Sequence, residues 1–369
     1  MRILITGAKG FIGRNLSAGL RNHDYRELYE YDKDTDLELL ERFCRDAEFV
    51  FHLAGANRPA DEADYKKNNA DFTMRLLNSL RKYNNTCPVA YASSAQAVLD
   101  NPYGISKKAG EDIIFSHAEE TGAKAMVYRF PNVFGKWCRP NYNSVIATFC
   151  HNTAAGLPIR VDDTETVLKL AYIDDVVEEF LRALRGKESR DGDFCSLPVI
   201  HTATLGRLAH IIRGFGSSRE ELSIPDMSDV LTKKLYSTYL SYLPESGLSH
   251  GLTMHADRRG SFTEFVRQGQ IGQLSVNIVK PGITKGNHWH NSKVEKFLAV
   301  SGRGAVRLRR IDSSEIISCY VDGEKLQMVD IPPGYTHNIE NIGDTDLVII
   351  IWANESFDKS NPDTYPMEV

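Results

Sequence analysis

The sequence predicts two folds in tandem, a doubly wound parallel α/β sheet followed by an all-β barrel. Three observations carry this. Short apolar runs alternate with helical stretches over the first third of the chain. The first run opens directly onto a glycine-rich loop, Gly7-Ala-Lys-Gly10-Phe-Ile-Gly13. From residue 255 to 353 the helical pattern is gone, and strands rich in Val, Ile and Phe are punctuated by Gly and Pro. A length of 369 residues also exceeds what one core usually organises.

The elements follow in order. Arg2–Thr6, Arg26–Tyr31, Phe49–Leu53, Val89–Ser93 and Ala125–Arg129 read as strands. Arg14–Asn22, Asp71–Tyr83 and Ser106–Glu120 read as helices between them. Residues 145–243 are mixed and more helical, as a substrate-binding extension would be. Pro244-Glu-Ser-Gly247 reads as a break, so one domain is expected over residues 1–243 and another over 244–369. In the second, Gly272–Val279, Lys296–Val300, Gly304–Arg309, Ile316–Val321, Leu326–Ile331 and Asp346–Trp352 read as strands.

Composition excludes several classes. A net charge of −5 offers no basic face for nucleic acid. No 18-residue apolar run exists, so no membrane span is expected. Met1-Arg-Ile-Leu-Ile-Thr-Gly7 reads as a strand and not as a signal peptide. Cys44, Cys87, Cys138, Cys150, Cys195 and Cys319 form neither a Cys-x-x-Cys pair nor a dense framework, which leads to the expectation of a cytoplasmic protein.

The glycine loop is a candidate nucleotide site. Gly7, Gly10 and Gly13 permit a tight turn, close approach of a pyrophosphate and packing of the next helix. Lys9, Phe11 and Ile12 lie within it, and the helix start turns free N–H groups toward the phosphates. Phe51-His-Leu-Ala-Gly55 resembles a segment of extended short-chain dehydrogenase/reductases, which implies that Leu53, Ala54 and Gly55 line the dinucleotide; Asn69 with Thr73 is loosely similar to another segment of that family, with an ordinary helix cap as its alternative. Asp32 would accept from a ribose 2′-hydroxyl, whereas the adjacent Lys33 would attract a 2′-phosphate, so NADPH and NADH both remain open on these residues.

Tyr103 and Lys107 lie one helical turn apart, at the start of a helix, so both can face one cleft. An ammonium beside a phenol favours its phenolate, and a tyrosine with a lowered pKa can exchange a proton with a sugar oxygen. Lys107 would also hold the nicotinamide ribose. Ser94 is the better hydroxyl to orient a carbonyl, and Ser93 the fallback. Asn132 follows the last of the five strands. Lys136 and Arg139 then join aromatics in Lys136-Trp-Cys-Arg139-Pro-Asn-Tyr-Asn143, which suits a nucleotide diphosphate or is a surface loop.

In the second half, His288 and His290 alternate by two and face one side of a strand. Glu295 returns after a turn, and His337 comes from a distant strand. Three imidazoles and a carboxylate suit Zn2+, with Mn2+, Fe2+, Ni2+ and Co2+ as rivals. A metal that only braces the barrel is the alternative.

These stretches carry resemblances. The glycine loop, Phe51-His-Leu-Ala-Gly55 and Tyr103-Gly-Ile-Ser-Lys107 resemble extended short-chain dehydrogenase/reductases, which implies a Rossmann-type domain. One departure is the connection from Ser94 to Tyr103, where only eight residues intervene and the family usually has a longer loop. Gly282-x5-His288-x-His290-x4-Glu295-x6-Gly302 and Pro332-x-Gly334-x2-His337-x3-Asn341 resemble the two cupin motifs, which implies a jelly-roll barrel. Asp257-Arg-Arg259-Gly-Ser-Phe262-Thr-Glu264 is similar to a segment of cupin-like sugar-nucleotide 3,5-epimerases and makes Arg259 a candidate diphosphate anchor. With His288 recruited to a metal, the candidate bases become Lys285, Tyr335 or a water.

The whole chain resembles a family of capsular polysaccharide synthesis enzymes that fuse these two domains. The resemblance implies a UDP-4-keto-6-deoxy-L-hexosamine substrate, epimerised at C3 by the cupin part and reduced at C4 with NADPH by the other. A 4-ketoreductase with a structural cupin and a non-enzymatic sugar-nucleotide sensor are the other readings. Strand edges in the second half lead to the expectation of a homodimer.

Overall fold

Ile3, Ile5 and Phe51 pack on one face of a sheet with Leu16, Leu20 and Phe180, while Leu4 and Val50 pack on the other with Leu76, Leu80 and Ile114. Alternate residues of one strand thus enter two cores, the mark of a sheet sandwiched between helices. This computed structural model describes residues 1–57, 61, 63–268, 272–358 and 360–369. The chain divides into two units, Met1–Phe215 with Ser228–Pro244, and Gly216–Met227 with Glu245–Val369. The segment Gly216–Met227 therefore groups with the second unit, apart from its neighbours in sequence.

The first unit begins β1 (Ile3–Thr6), α1 (Phe11–Asn22), β2 (Leu28–Tyr31), α2 (Leu37–Asp46) and β3 (Phe49–His52). A short α3 (Ala63–Tyr65) passes through a wide turn into α4 (Phe72–Lys82). Next come β4 (Val89–Ser94), α5 (Pro102–Thr121), β5 (Ala125–Phe130), β6 (Asn132–Phe134), α6 (Val145–Ala154), β7 (Val167–Tyr172) and α7 (Ile173–Leu184). The series ends with β8 (Arg190–Asp191), β9 (Phe194–Cys195), β10 (His201–Thr204), α8 (Leu205–Ser218) and α9 (Val230–Leu240). The main sheet runs β2-β1-β3-β4-β5-β9-β8, parallel except for its last pair. A small sheet, β10-β7-β6, covers a third core around Phe134, Phe149 and Leu235. The five strands and three helices expected here are present. Helix α2, capped by Asp36 through Glu38 N–H, is additional. Ligand sites in such sheets form where the carboxyl ends of the strands converge; here those ends are Thr6, His52 and Ser94.

The second unit is β11 (His255–Asp257), β12 (Gly260–Gln268), β13 (Gly272–Val279), β14 (Thr284–Trp289), β15 (Glu295–Ser301) and β16 (Arg303–Arg310), then β17 (Ile316–Asp322), β18 (Met328–Ile331), β19 (Tyr335–Asn341), β20 (Leu347–Ala353) and β21 (Tyr365–Pro366). Two antiparallel sheets, β11-β12-β13-β20-β15-β18 and β17-β16-β19-β14-β21, enclose Val279, Phe297, Val306, Ile339 and Ile349. β14 carries a bulge between Gly286 and His288, with Asn287 at φ 61°. The extra residue sets Lys285 opposite Ile339 and His288 opposite His337, so all four face inward. Among the described residues no helix is long and apolar enough to cross a membrane.

Candidate functional site

In the first unit the loop after β1 is held by close backbone packing. Gly7 adopts φ +71°, and a Cβ there would lie 2.8 Å from the Ala54 nitrogen; one on Gly13 would lie 2.2 Å from the Gly7 carbonyl. No side chain caps α1, whose first N–H groups are open to an anion. A cleft of about 740 Å3 runs from Gly7, Lys9, Gly10, Phe11, Ile12 and Gly13 past Leu53 and Gly55 to Ser94, Tyr103 and Lys107. This cradle fits a dinucleotide. Ala54 lies beneath the loop, outside the lining. Asn69 is buried and acts as a brace: it accepts from Ala56 N–H (2.8 Å) and donates to the Ser106 hydroxyl (2.8 Å). Asp32 accepts from the backbone N–H of Lys9 and of Lys33, both at 2.8 Å. The Lys9 ammonium pairs with Asp34, while Lys33 is exposed.

The structure separates the two serines. Ser93 donates to Glu111 at 2.6 Å, and Glu111 takes a two-pronged bond from Arg129 at 2.9 and 2.6 Å. Ser94 instead meets the Tyr103 phenol. Asn101 caps α5 through Gly104 N–H at 2.8 Å, and Pro102 sits in its first turn, which fixes the end bearing Tyr103. The short connection from Ser94 is a tight turn, Ala95–Val98, packed against Gly104.

Lys107 is buried and donates to the Ala92 carbonyl at 2.8 Å. Burial pushes its pKa down to about 8. The expected lowering of the Tyr103 pKa is not what the structure has. Burial raises it, against the opposing hydrogen bond to Ser94, because the Lys107 ammonium is directed at the strand. A protonated phenol is the form that donates a proton.

Asn132 and Arg139 line the cleft, with the Arg139 guanidinium 5.2 Å from the Tyr142 ring centre. Lys136 turns away to Asp174 (2.5 Å), and Asp175 holds Lys234 (2.6 Å). Arg14 escaped the sequence reading; its guanidinium lies 5.2 Å from the Trp137 ring centre in the cleft wall. The available signal was a cation in the first turn of a helix, where the dipole disfavours it unless an anion is bound nearby.

In the second unit, candidate ligand atoms of His288, His290, Glu295 and His337 lie within 4.8 Å of one another. β14 supplies His288 and leads into His290, β19 supplies His337, and Glu295 starts β15 in the opposite sheet. Glu295 Oε2 is 3.2 Å from His337 Nε2 and 3.6 Å from His290 Nε2. Both nitrogens are buried without a hydrogen-bond partner. Burial, then the neighbouring imidazoles, push His288 down to about 4. Burial would raise the Glu295 carboxyl, but His290 and His337 outweigh it and hold it well below the usual range. Three imidazoles, a carboxylate held in its ionised form and two buried ring nitrogens without hydrogen bonds fit a divalent transition metal.

Tyr335 shares the inward face of β19 with His337 and lines a cavity of about 540 Å3 beside Leu308, the residue opposite His337. Lys285 faces inward too, but its ammonium is held by Asn277 (2.9 Å), the Ile278 carbonyl (2.8 Å) and the Ser261 carbonyl (3.3 Å). Arg259 is exposed and pairs with Asp257 at 2.8 Å.

Residues 3–194, more than half of the chain, match the NAD dependent epimerase/dehydratase family. The chain belongs to that family. Residues 255–365 match the polysaccharide biosynthesis C-terminal domain. The UDP-2-acetamido-2,6-beta-L-arabino-hexul-4-ose reductase of Pseudomonas aeruginosa is 41% identical over 100% of this chain and 99% of its own. The crystal structure of the capsular polysaccharide assembling protein CapF from Staphylococcus aureus is 48% identical and covers 100% of both chains with a TM-score of 0.95. A UDP-glucose 4-epimerase structure from Thermotoga maritima, 22% identical, matches 66% of this chain and 98% of its own with a TM-score of 0.55, a likeness of fold alone.

Proposed function

We propose that the chain is a bifunctional sugar-nucleotide enzyme. Residues 244–369 epimerise C3 of UDP-2-acetamido-2,6-dideoxy-L-arabino-4-hexulose, and residues 1–243 then reduce C4 to give UDP-N-acetyl-6-deoxy-L-talosamine. The observation that carries this is the grouping of Ser94, Tyr103 and Lys107 in a cleft that ends on the glycine loop. The end-to-end likeness to a UDP-ketosugar reductase supports the substrate class.

When bound, a nicotinamide would supply the hydride for C4, and a divalent metal, Zn2+ by preference, would supply Lewis-acid chemistry at the carbonyl. His288, His290, Glu295 and His337 would hold that metal. Tyr103 delivers the proton to the C4 oxygen, and Ser94 orients that oxygen. Lys107 positions the ribose. Asn132 and Arg139 lie where a sugar diphosphate would extend. Tyr335 is the better candidate for the C3 proton, since Lys285 is already held by three oxygens. The order is set by chemistry: C3–H is labile only while C4 is a ketone.

NADPH is the proposed cofactor. The Asp32 carboxylate is engaged by two backbone N–H groups, which leaves Lys33 to meet a 2′-phosphate. A ratio of kcat/KM favouring NADH would reverse this assignment. The chain is further proposed to dimerise through the edge strand β17, which exposes Ile316, Ile317 and Tyr320; light scattering of Tyr320→Lys tests it.

Incubation with the UDP-4-ketosugar in D2O without nicotinamide tests the whole. Deuterium at C3, followed by a 6-deoxy-talo product once NADPH is added, is the expected result. Reduction without deuterium limits the chain to a 4-ketoreductase, and no conversion of any 4-oxo UDP-sugar ends the proposal.

A further inference from the structure

The last residues of the chain return to the histidine cluster. β21 pairs Tyr365 with Trp289 and Pro366 with His288, adding an outer strand to β14. Met367 N–H donates to the Asn287 carbonyl at 3.0 Å, and the Thr336 hydroxyl donates to the Met367 carbonyl at 2.5 Å. The tail thus lies along one ligand-bearing strand and reaches the neighbour of His337 on another.

Asp363 stands where this tail begins. Its carbonyl lies 2.5 Å from His290 Nδ1. A carbonyl only accepts, so Nδ1 carries a proton, and Nε2 is the nitrogen turned toward Glu295 and the cluster. The carboxylate of the same residue gathers the loop that follows His290. It accepts from the backbone N–H groups of Asn291, Ser292 and Lys293, each at 2.9 Å, and from the Ser292 hydroxyl at 3.2 Å. The Lys293 ammonium closes the arrangement on the Pro362 carbonyl at 3.0 Å. Asp363 adopts φ +40°, in the left-handed region that Asp and Asn tolerate better than other side chains. A tail retained only for packing requires neither this conformation nor an acceptor on an imidazole.

We propose, building on the metal reading above, that Asp363 is a positioning residue of the metal centre. Its carbonyl fixes the tautomer and ring angle of His290, and its carboxylate holds the loop that would otherwise let His290 turn away. The residue lies outside the spacing that marks the four ligands, and it makes the C-terminal tail part of the site.

The test is zinc competition against a chromophoric chelator, using full-length protein stripped of metal. Asp363→Ala keeps the carbonyl but frees the loop that sets it against His290, and is expected to lose about tenfold in zinc affinity, on the scale seen for loss of outer support to a metal-bound imidazole. Asp363→Asn, which keeps the backbone conformation and one acceptor oxygen, is expected to recover most of it. Nitrogen-15 NMR of zinc-loaded wild-type protein is expected to give His290 with a protonated Nδ1 and a metal-bound Nε2, a reading that no substitution or refolding affects. Zinc bound at Nδ1 overturns the inference. So does wild-type zinc affinity in Asp363→Ala when wild type itself binds zinc, and that result leaves the metal reading standing. Wild-type protein that takes up no zinc overturns both together.

Discussion

The candidate site of the first unit satisfies its polar groups within the protein, and that of the second leaves some of them open. Lys107 rests on the Ala92 carbonyl, Asn69 on Ala56 and Ser106, and Ser93 on Glu111, which is itself held by Arg129. In the second unit His290 Nε2 and His337 Nε2 are buried with no hydrogen bond. Buried polar atoms without partners are costly, and here two of them converge on one carboxylate, Glu295, as metal ligands would. The first site is shaped in advance to receive molecules that come and go. The second has the donor set that a coordination sphere would use.

That contrast can be broken by experiments that separate the two. Tyr103→Phe should lower NADPH oxidation about a thousandfold while deuterium exchange at C3 continues unchanged. Loss of both would mean that the sites are not independent. Removing the metal with a chelator, or His337→Ala, should do the reverse. Exchange should fall about a hundredfold or more, the equivalent of several kcal/mol of lost charge stabilisation, with reduction of pre-epimerised ketosugar retained.

Glu111→Ala should destabilise the first unit by about 3 kcal/mol in denaturant unfolding, because it strands Arg129 beside Ser93. The metal content should not change. The pH profile sharpens the picture further. The Lys107 ammonium is lost as pH rises through about 8, so ketone reduction should decline over that range; in Lys107→Arg, charged throughout, the break should vanish. The smallest effect is Asn101→Ala, which removes the α5 cap and should cost about 1 kcal/mol, read as a modest drop in the melting temperature of the first unit.

Features set by local spacing were legible in the chain. Tyr103 and Lys107 are one helical turn apart, and the glycines follow a strand and open a helix, so their grouping needs no distant information. Three of the metal candidates were legible for a similar reason, since strand alternation links His288 to His290 and a turn returns Glu295; His337, from a distant strand, was legible only through its motif. What stayed hidden depends on residues far away in sequence. Ser94 was preferred to Ser93 from the sequence, but the engagement of Ser93 by Glu111 and Arg129, contributed by α5 and β5, was not visible there. Lys285 looked available as a base, yet Ser261, Asn277 and Ile278 bind it. A strand at His288 was expected, but the bulge between Gly286 and His288 that sets its register was not. Asp363 is 73 positions from His290, and no pattern links the two.

The turn Ala95–Val98 leaves no slack between hydroxyl and phenol. It is wedged so tightly that a methyl group on Gly104 would collide with the Gln96 carbonyl at 2.3 Å. A linkage this rigid keeps its spacing whatever sugar is presented, and one inserted residue would swing the two groups out of alignment. Relatives that accept other ketosugars are then expected to vary along the opposite rim, from Asn132 to Ser144, and to conserve the length of this bracket.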